Sequence, residues 1–438
     1  MNNKKKAVLV GLCLIVIALL AACYFHQQNK KEIVLELGVF TGSNWNVANA
    51  NSFTLLDRAI EKFEAENSGV RVHYYSGVMR GDYSEWLSRK ILEGKVPDVF
   101  MILDTDFNKF CSMGIVKNLN ELIKEDDSFR PDVYFTSSYE TGKYRGAQYA
   151  LPYETVPTLM FVNKSLLNAE GITVPKENWT WGELYEICNK VTKDTNNDGS
   201  LDQFGIYNYD WKDAAFSNGG MIFSEDGEES YLTDPNVINA IKFVGKLEQI
   251  NHGQTITQED FNGGNVAFMP LTYAEYRTYK TYPYRIKKYA NMTWDCITMP
   301  AGPEGDNLSE VNTLLIGISE KTKKEALAWE FLKLLTSDED IQKQIFKHSQ
   351  GASVLKSVTG SKEAEEMMQA EMAKEDKVIN SELLSQVIEQ GHVEPKFQKY
   401  EQAISLADSE IMKILENNKT LDSSMKILQR TINSYLQQ

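Results

Sequence analysis

The sequence predicts an α/β protein with mainly parallel sheet and a second sheet reached through a stiff connector. Three observations carry this reading. Strand-like and helix-like stretches alternate over residues 33–103. Pro152 and Pro157 bracket an extended stretch that leads into a further apolar run. The chain has 438 residues, enough for two or three domains.

The elements follow in order. "IVLELGVF" (33–40) alternates as a strand, and in "SFTLLDRAIEKFEAENSG" the residues Phe53, Leu56, Ile60 and Phe63 fall on one helical face before Gly69. "VRVHYYS" (70–76) is a strand, and "DYSEWLSRKILEG" (82–94) a helix with Asp82 and Glu85 as a capping pair. "DVFMIL" (98–103) is a third strand. Such a βαβαβ run predicts parallel pairing with right-handed crossovers. Ligands then sit beyond the carboxyl ends of the strands, here "TGSNW" (41–45), "SGVMRG" (76–81) and "DTDFN" (104–108). In "YALPYETVPTLMFVNKSLL" (149–167) the prolines fix φ and disfavour helix. Further helices are expected near 180–193 and 234–249, a strand and turn at 294–305, a strand then an amphipathic helix at 312–337, and mostly helix from 361 onward.

The formal net charge is −15. An acidic chain lacks the basic face that nucleic acid requires. Cys111, Cys188 and Cys296 are an odd set, far apart, so isolated buried thiols are expected, with a Cys188–Cys296 pair as the alternative. The chain opens with "MNNKKK", then the uncharged "AVLVGLCLIVIALLAA", the pattern of a secretory signal, with a membrane anchor as the competing reading that length alone does not settle. "LAAC" (Leu20 to Cys23) resembles the lipobox of bacterial lipoproteins. That resemblance implies a signal peptide over 1–22, lipidation of Cys23 with acyl chains such as palmitate, and a solvated tether over 23–32. Two chains hold a soluble body at a membrane where one is marginal. The expected location is the extracytoplasmic face of the cell membrane.

Five stretches in sequence, "KVPDVFMILDTDFNKF", "YALPYETVPTLMFVNKSLL", "NWTWGELYEICNKV", "FNGGNVAFMP" and "NTLLIGISEKTKKEALAWEFLKLLTS", resemble the bacterial extracellular solute-binding proteins that feed ABC transporters, of the maltodextrin-binding type. The resemblance implies a two-lobe periplasmic-binding-protein-like fold (class II) with a hinge. Chain crossings fall near 152–157, 300–313 and 350–356, with lobe I made of 33–151 plus 313–350 and lobe II of 152–312 plus 351–438. It implies a monomer that captures a sugar or oligosaccharide and delivers it to ABC permease subunits, without catalysis. The chain departs from the family pattern at "SQGASVLKSV" (349–358) and at Tyr273, where relatives often carry Trp.

A sugar offers polar edges and weakly apolar C–H faces, so a site for it combines rings with carboxylates and amides in a concave cleft. The strand-end rule and the resemblance together nominate Asn44, Trp45, Asp104 and Asp106 in the first lobe. They nominate Tyr153 and Glu154 at the crossover, and Tyr209, Trp211, Asn218, Gly219, Gly220, Tyr273 and Tyr276 in the second. Core packing is the competing role for the rings, and helix capping for Asp104 and Asp106. Trp86 and Trp329 sit on apolar helix faces and are assigned to core. Few arginines accompany these segments, which disfavours a strongly anionic ligand. A polyamine or peptide remains the alternative ligand, and an anchored glycoside hydrolase the alternative class.

"DTNNDGSLDQFG" (194–205) places Asp194, Asn196, Asp198, Ser200 and Asp202 at the oxygen spacing of a calcium loop, with Gly199 at the turn. Gly205 stands where the bidentate Glu belongs. A structural Ca2+ and a plain Asx-turn are both open on this evidence. No Gly-x-Ser-x-Gly, His-Glu-x-x-His or Walker motif occurs.

Overall fold

A computed structural model describes residues 32–438 except 46, 48–51, 282–291, 371–378, 396 and 417–419. The leader over 1–22, Cys23 and all of the tether but Glu32 lie outside the described residues. Ten strands are present among those described: β1 (Ile33–Gly38), β2 (Val70–Tyr74), β3 (Val99–Ile102), β4 (Lys143–Tyr144), β5 (Ala147–Gln148), β6 (Ala150–Asn163), β7 (Phe204–Ile206), β8 (Val266–Thr272), β9 (Trp294–Ile297) and β10 (Val311–Ile318).

The main sheet has the order β2-β1-β3-β10-β6-β8-β7, with β9 also paired to β6. The βαβαβ expectation holds for its first part: β1 pairs parallel with β2 and with β3. The intervening helices form where the spacing placed them, Ser52–Glu66 and Arg80–Leu92. The second of these buries Tyr83, Trp86 and Leu87, one face at i, i+3, i+4. It begins at Arg80 without a side-chain cap, so Asp82 lies in its first turn and is no N-cap. Gly94, at φ +68°, ends it in the left-handed conformation that glycine adopts without penalty. Every residue of β3 is buried, as a strand covered on both faces must be.

The sheet is mixed beyond this point. β10 runs antiparallel to both β3 and β6, and β6 is antiparallel to β8 and β9, while β7 and β8 are parallel. β6 is the shared member. Its residues 150–157 pair with β10, and residues 158–163 pair with β8 and β9. The register of β10 against β6 shifts between Leu314 and Leu315, opposite Glu154 and Pro152 respectively. Tyr153 is thus the extra residue of a bulge, a device that bends a strand and re-aims the neighbouring side chains. Proline has no N–H to give a ladder, so Pro152 beside the bulge is where a strand tolerates it. Ala352 bridges to Thr155 on the same strand, with N–H···O bonds of 3.0 and 2.8 Å. The three stretches expected to cross between lobes therefore lie side by side.

Two apolar cores form. One surrounds β1, β3, β10 and the first half of β6, with Leu35, Phe100, Leu315 and Phe331 fully buried. The other gathers Trp179, Leu184, Ala214, Ile241, Ala403 and Ile432. The first core also takes in Phe204, Val266, Tyr273 and Cys296. Ala352, Leu355, Leu384 and Ile388 belong to the first core, not the second. Phe135 N–H donates to the Val354 carbonyl, and Thr136 to Glu389. An amphipathic helix announces its apolar face but not the core it meets. Residues 397–436 pack in the second core as expected. Cys111, Cys188 and Cys296 are buried thiols outside any disulfide, so the Cys188–Cys296 alternative is not realised. No described helix is long and apolar enough to cross a membrane.

Asp126 ties the helix Glu325–Ser337 to the loop before Phe129. It accepts from Lys333, from Trp329 Nε1 at 2.9 Å and from Ser128. Burial alone would raise its carboxyl, but these bonds outweigh burial and hold it well below the usual carboxylate range. A depressed folded pKa adds stability above the unfolded value, and that stability disappears as pH falls through the folded one. Asp126→Asn is therefore expected to lower the melting temperature at pH 7. It should also flatten the loss of stability that the wild type shows below about pH 4. Parallel melting curves at pH 7 and pH 3 for both proteins would miss this if the two shared one pH profile.

Candidate ligand cleft

Two cavities meet between the elements of β1–β3 and those of β7–β8. The smaller, about 180 Å3, is walled by Trp45, Arg80, Asp104, Val156, Thr272 and Asn312. The larger, about 940 Å3, runs from Asp104 past Asn108, Tyr144 and Arg145 to Asp226 and Phe397. Asp104 borders both, so the two cavities are neighbours across one residue. The larger one alone lies in the range of small-molecule sites.

Local structure explains each wall. Trp45 ends the loop after β1, where Ser43 Oγ accepts from the Trp45 and Val47 amides at 3.0 and 3.2 Å. Asp104 opens the helix Asp104–Ser112 directly after β3 and accepts from the Thr105 amide at 2.8 Å. Arg80 opens its own helix after β2, with its guanidinium 6.0 Å from the Phe40 ring centroid. Burial lowers the Arg80 pKa, against the pull of Asp104 and Glu401. Arg80 Nε is buried without a hydrogen-bond partner. Across the larger cavity, Arg145 at the β4–β5 turn faces Asp226. The Asp226 carboxyl is lowered first by its bond from Ser224, with Arg145 adding to the effect.

Of the sequence-nominated residues, Trp45 and Asp104 line the cleft. Asn44 lies beside them, but its side chain turns inward and donates from Nδ2 to Glu154 Oε2 at 2.6 Å. Asp106 is buried and takes a 2.5 Å bond from Ser84 Oγ. Burial raises its pKa, partly offset by that bond.

The remaining nominees are placed elsewhere. Tyr153 is fully buried at the bulge. Glu154 is fully buried with both oxygens engaged, so it has none to offer a ligand. Tyr209 and Trp211 sit in the second core; Trp181 Nε1 donates to Tyr209 Oη at 3.1 Å, and Trp211 Nε1 to Asp408 at 2.7 Å. Their polar surroundings in sequence are the capping box of the helix Trp211–Ser217, formed by Asp210 and Asp213. Asn218 ends that helix, donating to the Asn236 carbonyl and accepting from the Glu304 amide. Gly219, at φ +71°, follows in the turn, and a Cβ at Gly220 would lie 3.1 Å from the Ala215 carbonyl oxygen. Tyr273 and Tyr276 are buried: Tyr273 Oη donates to Met368 Sδ at 2.7 Å, and Tyr276 Oη accepts from the Ile379 amide at 3.0 Å.

The wall residues not nominated include Arg80, Thr272 and Asn312 in the smaller cavity and Asn108, Tyr144, Arg145 and Asp226 in the larger. Arg80 stands in a strand-end loop and was within reach of that rule. Thr272 and Asn312 sit at strand termini with no ring or charge to mark them.

In the loop 194–202 the oxygens are engaged by the loop itself. Asp194 accepts from the Asp198 and Gly199 amides, Asn196 from Asp198, Asp198 from Ser200, and Asp202 from Thr195. Bonds of this kind are those of Asx-turns. Among the described residues no three His, Cys, Asp or Glu side chains are grouped to hold a metal.

The family model described as "Bacterial extracellular solute-binding protein" matches residues 48–342. A maltotriose-binding protein of Pyrococcus abyssi is 26% identical over 45% of this chain, which spans 41% of that relative's length. The diacetylchitobiose binding protein DasA of Streptomyces coelicolor is 24% identical over 69% of each chain. The solved sugar-binding protein MalE of Xanthomonas citri superposes with a TM-score of 0.74, at 14% identity, over 92% of this chain and 97% of its own.

Proposed function

This chain belongs to the bacterial extracellular solute-binding protein family, and from that premise we propose that it captures an oligosaccharide between two lobes and passes it to an ABC permease. The observation that carries the reading is the pair of neighbouring cavities that share Asp104. One wall comes from the loops after β1, β2 and β3, and the other from Thr272, Asp226 and Phe397. A ring (Trp45), an amide (Asn312), a hydroxyl (Thr272) and an arginine–carboxylate pair (Arg80, Asp104) meet at its narrow end. That is the donor set for hydroxyls and C–H faces together. The volume of the wider part, about 940 Å3, has room for more than one sugar unit. Relatives named for maltotriose and diacetylchitobiose support the ligand class. The stretches at 152–157, 311–314 and 349–352 act as the hinge, and closure on ligand is the signal that the permease reads. The protein binds its sugar without cleaving it.

Calorimetry of the mature protein against a glycan panel including maltotriose and diacetylchitobiose, with chromatography of the products, tests this. Binding with intact sugar is the expected result. Cleavage would point to a hydrolase instead, and a hit only among amines or peptides would remove the sugar. We also propose that a lipid on Cys23 holds the body to the extracytoplasmic face. Cys23→Ser is then expected to move the protein from the membrane fraction to the soluble fraction, with ligand affinity unchanged. Retention of the variant on membranes after a high-salt wash would refute the lipid anchor.

A further inference from the structure

Glu154 is fully buried in the middle of β6, at the bulge, and three other segments converge on it. Its Oε1 accepts from Trp45 Nε1 at 2.7 Å, from Ser349 Oγ at 2.5 Å and from the Gly351 amide at 2.7 Å. Its Oε2 accepts from Asn44 Nδ2 at 2.6 Å. Every partner is a donor, the environment that an ionised carboxylate satisfies and a neutral side chain does not. A Cβ added at Gly351 would lie 2.2 Å from Oε1, so backbone and carboxylate are in direct contact. On its other side the 346–351 segment is held by Arg277, which donates to the Phe346 carbonyl at 2.6 Å and the Ser349 carbonyl at 2.7 Å. Arg277 stands on the helix Tyr273–Thr281, directly after the cavity residue Thr272.

We propose that Glu154 is a positioning residue that locks Trp45, on one wall of the cleft, to the 349–351 stretch, which Arg277 ties in turn to the opposite wall. The setting of the ring and the setting of the hinge are then one variable. A ligand that shifts Trp45 pulls on the segment about which the lobes turn, and lobe rotation moves the ring. This rests on the reading of the cleft as the ligand site and adds the residue that couples it to the hinge.

The proposal dictates an unusual rescue. Glu154→Gln removes the charge shared by the three donors at Oε1 and turns a new N–H toward the Asn44 amide, which can meet it by rotating its buried, unpartnered Oδ1. In the double variant Asn44→Asp/Glu154→Gln, the new amide can donate to the acid at position 44. Its oxygen still accepts from Trp45, Ser349 and Gly351. Asn44→Asp alone sets two carboxylates against each other across the gap that a 2.6 Å bond now spans. Two readouts need no ligand: amide exchange at Gly351, and acrylamide quenching of Trp45, read as the difference between each protein and its Trp45→Phe partner. Both single variants are expected to speed Gly351 exchange about tenfold and to raise Trp45 quenching, and the double variant to return both to wild-type values. Folded single variants that both keep wild-type exchange and quenching overturn the proposal. So does a double variant that stays loosened or does not fold, whatever the single variants do. Maltotriose and diacetylchitobiose titrations on the same proteins separate the two readings. A wild type that binds neither counts against those sugars and leaves the coupling standing. A loosened Glu154→Gln protein that binds as tightly as wild type overturns the link to ligand.

Discussion

Trp45→Ala is expected to weaken binding of the wild-type sugar by about a hundredfold, roughly 2.8 kcal/mol, the size typical of a central aromatic anchor. The indole N–H is taken by Glu154, so the ring offers ligand its flat apolar surface. Flat rings bury large area at little cost in side-chain freedom, which is why they dominate such sites. Trp45→Phe retains a ring and loses the N–H anchor, so it should fall between the two, at about tenfold. Calorimetric titration of the three proteins measures both steps. An alanine variant that binds within twofold of wild type would remove Trp45 from the site.

The second large effect concerns stability. Gly351→Ala is expected to destabilise the protein by about 3 kcal/mol. The added methyl would stand 2.2 Å from Glu154 Oε1 and 2.5 Å from its Cγ, atoms with no free space to retreat into. Relief requires the backbone to withdraw, which breaks the Gly351 N–H bond and strips a buried carboxylate of one donor. Gly81→Ala is the comparison: its new methyl meets nothing within 4 Å, inside a helix where alanine is favoured. Urea unfolding of both variants should show opposite signs. Equal midpoints would mean that the 349–351 stretch yields more easily than its packing implies.

Trp45 and Asp104 were legible because strand alternation and helical spacing over 33–103 place the strand ends, and strand ends place ligand loops. Tyr209 and Trp211 were misread because the acids beside them, which suggested a polar site, are a helix-capping box. Tyr273 was hidden from view in a different way. Its burial depends on Met368, nearly a hundred residues on, and no local pattern reports that meeting. The same holds for 352–388, whose apolar face was visible but whose host was not. Glu154 stood out as an acid between prolines. That it is enclosed by four donors follows from a bulge and from two distant segments, none of which leaves a mark nearby in the sequence.

The three thiols bear on how this protein matures once exported. Burial pushes Cys111 up to about 12 and Cys188 higher still, and Cys296 is also buried. The thiolate is the form that attacks a disulfide, so these three thiols are poor partners for an oxidant. Among the described residues no disulfide has to form or be sorted for the fold to assemble.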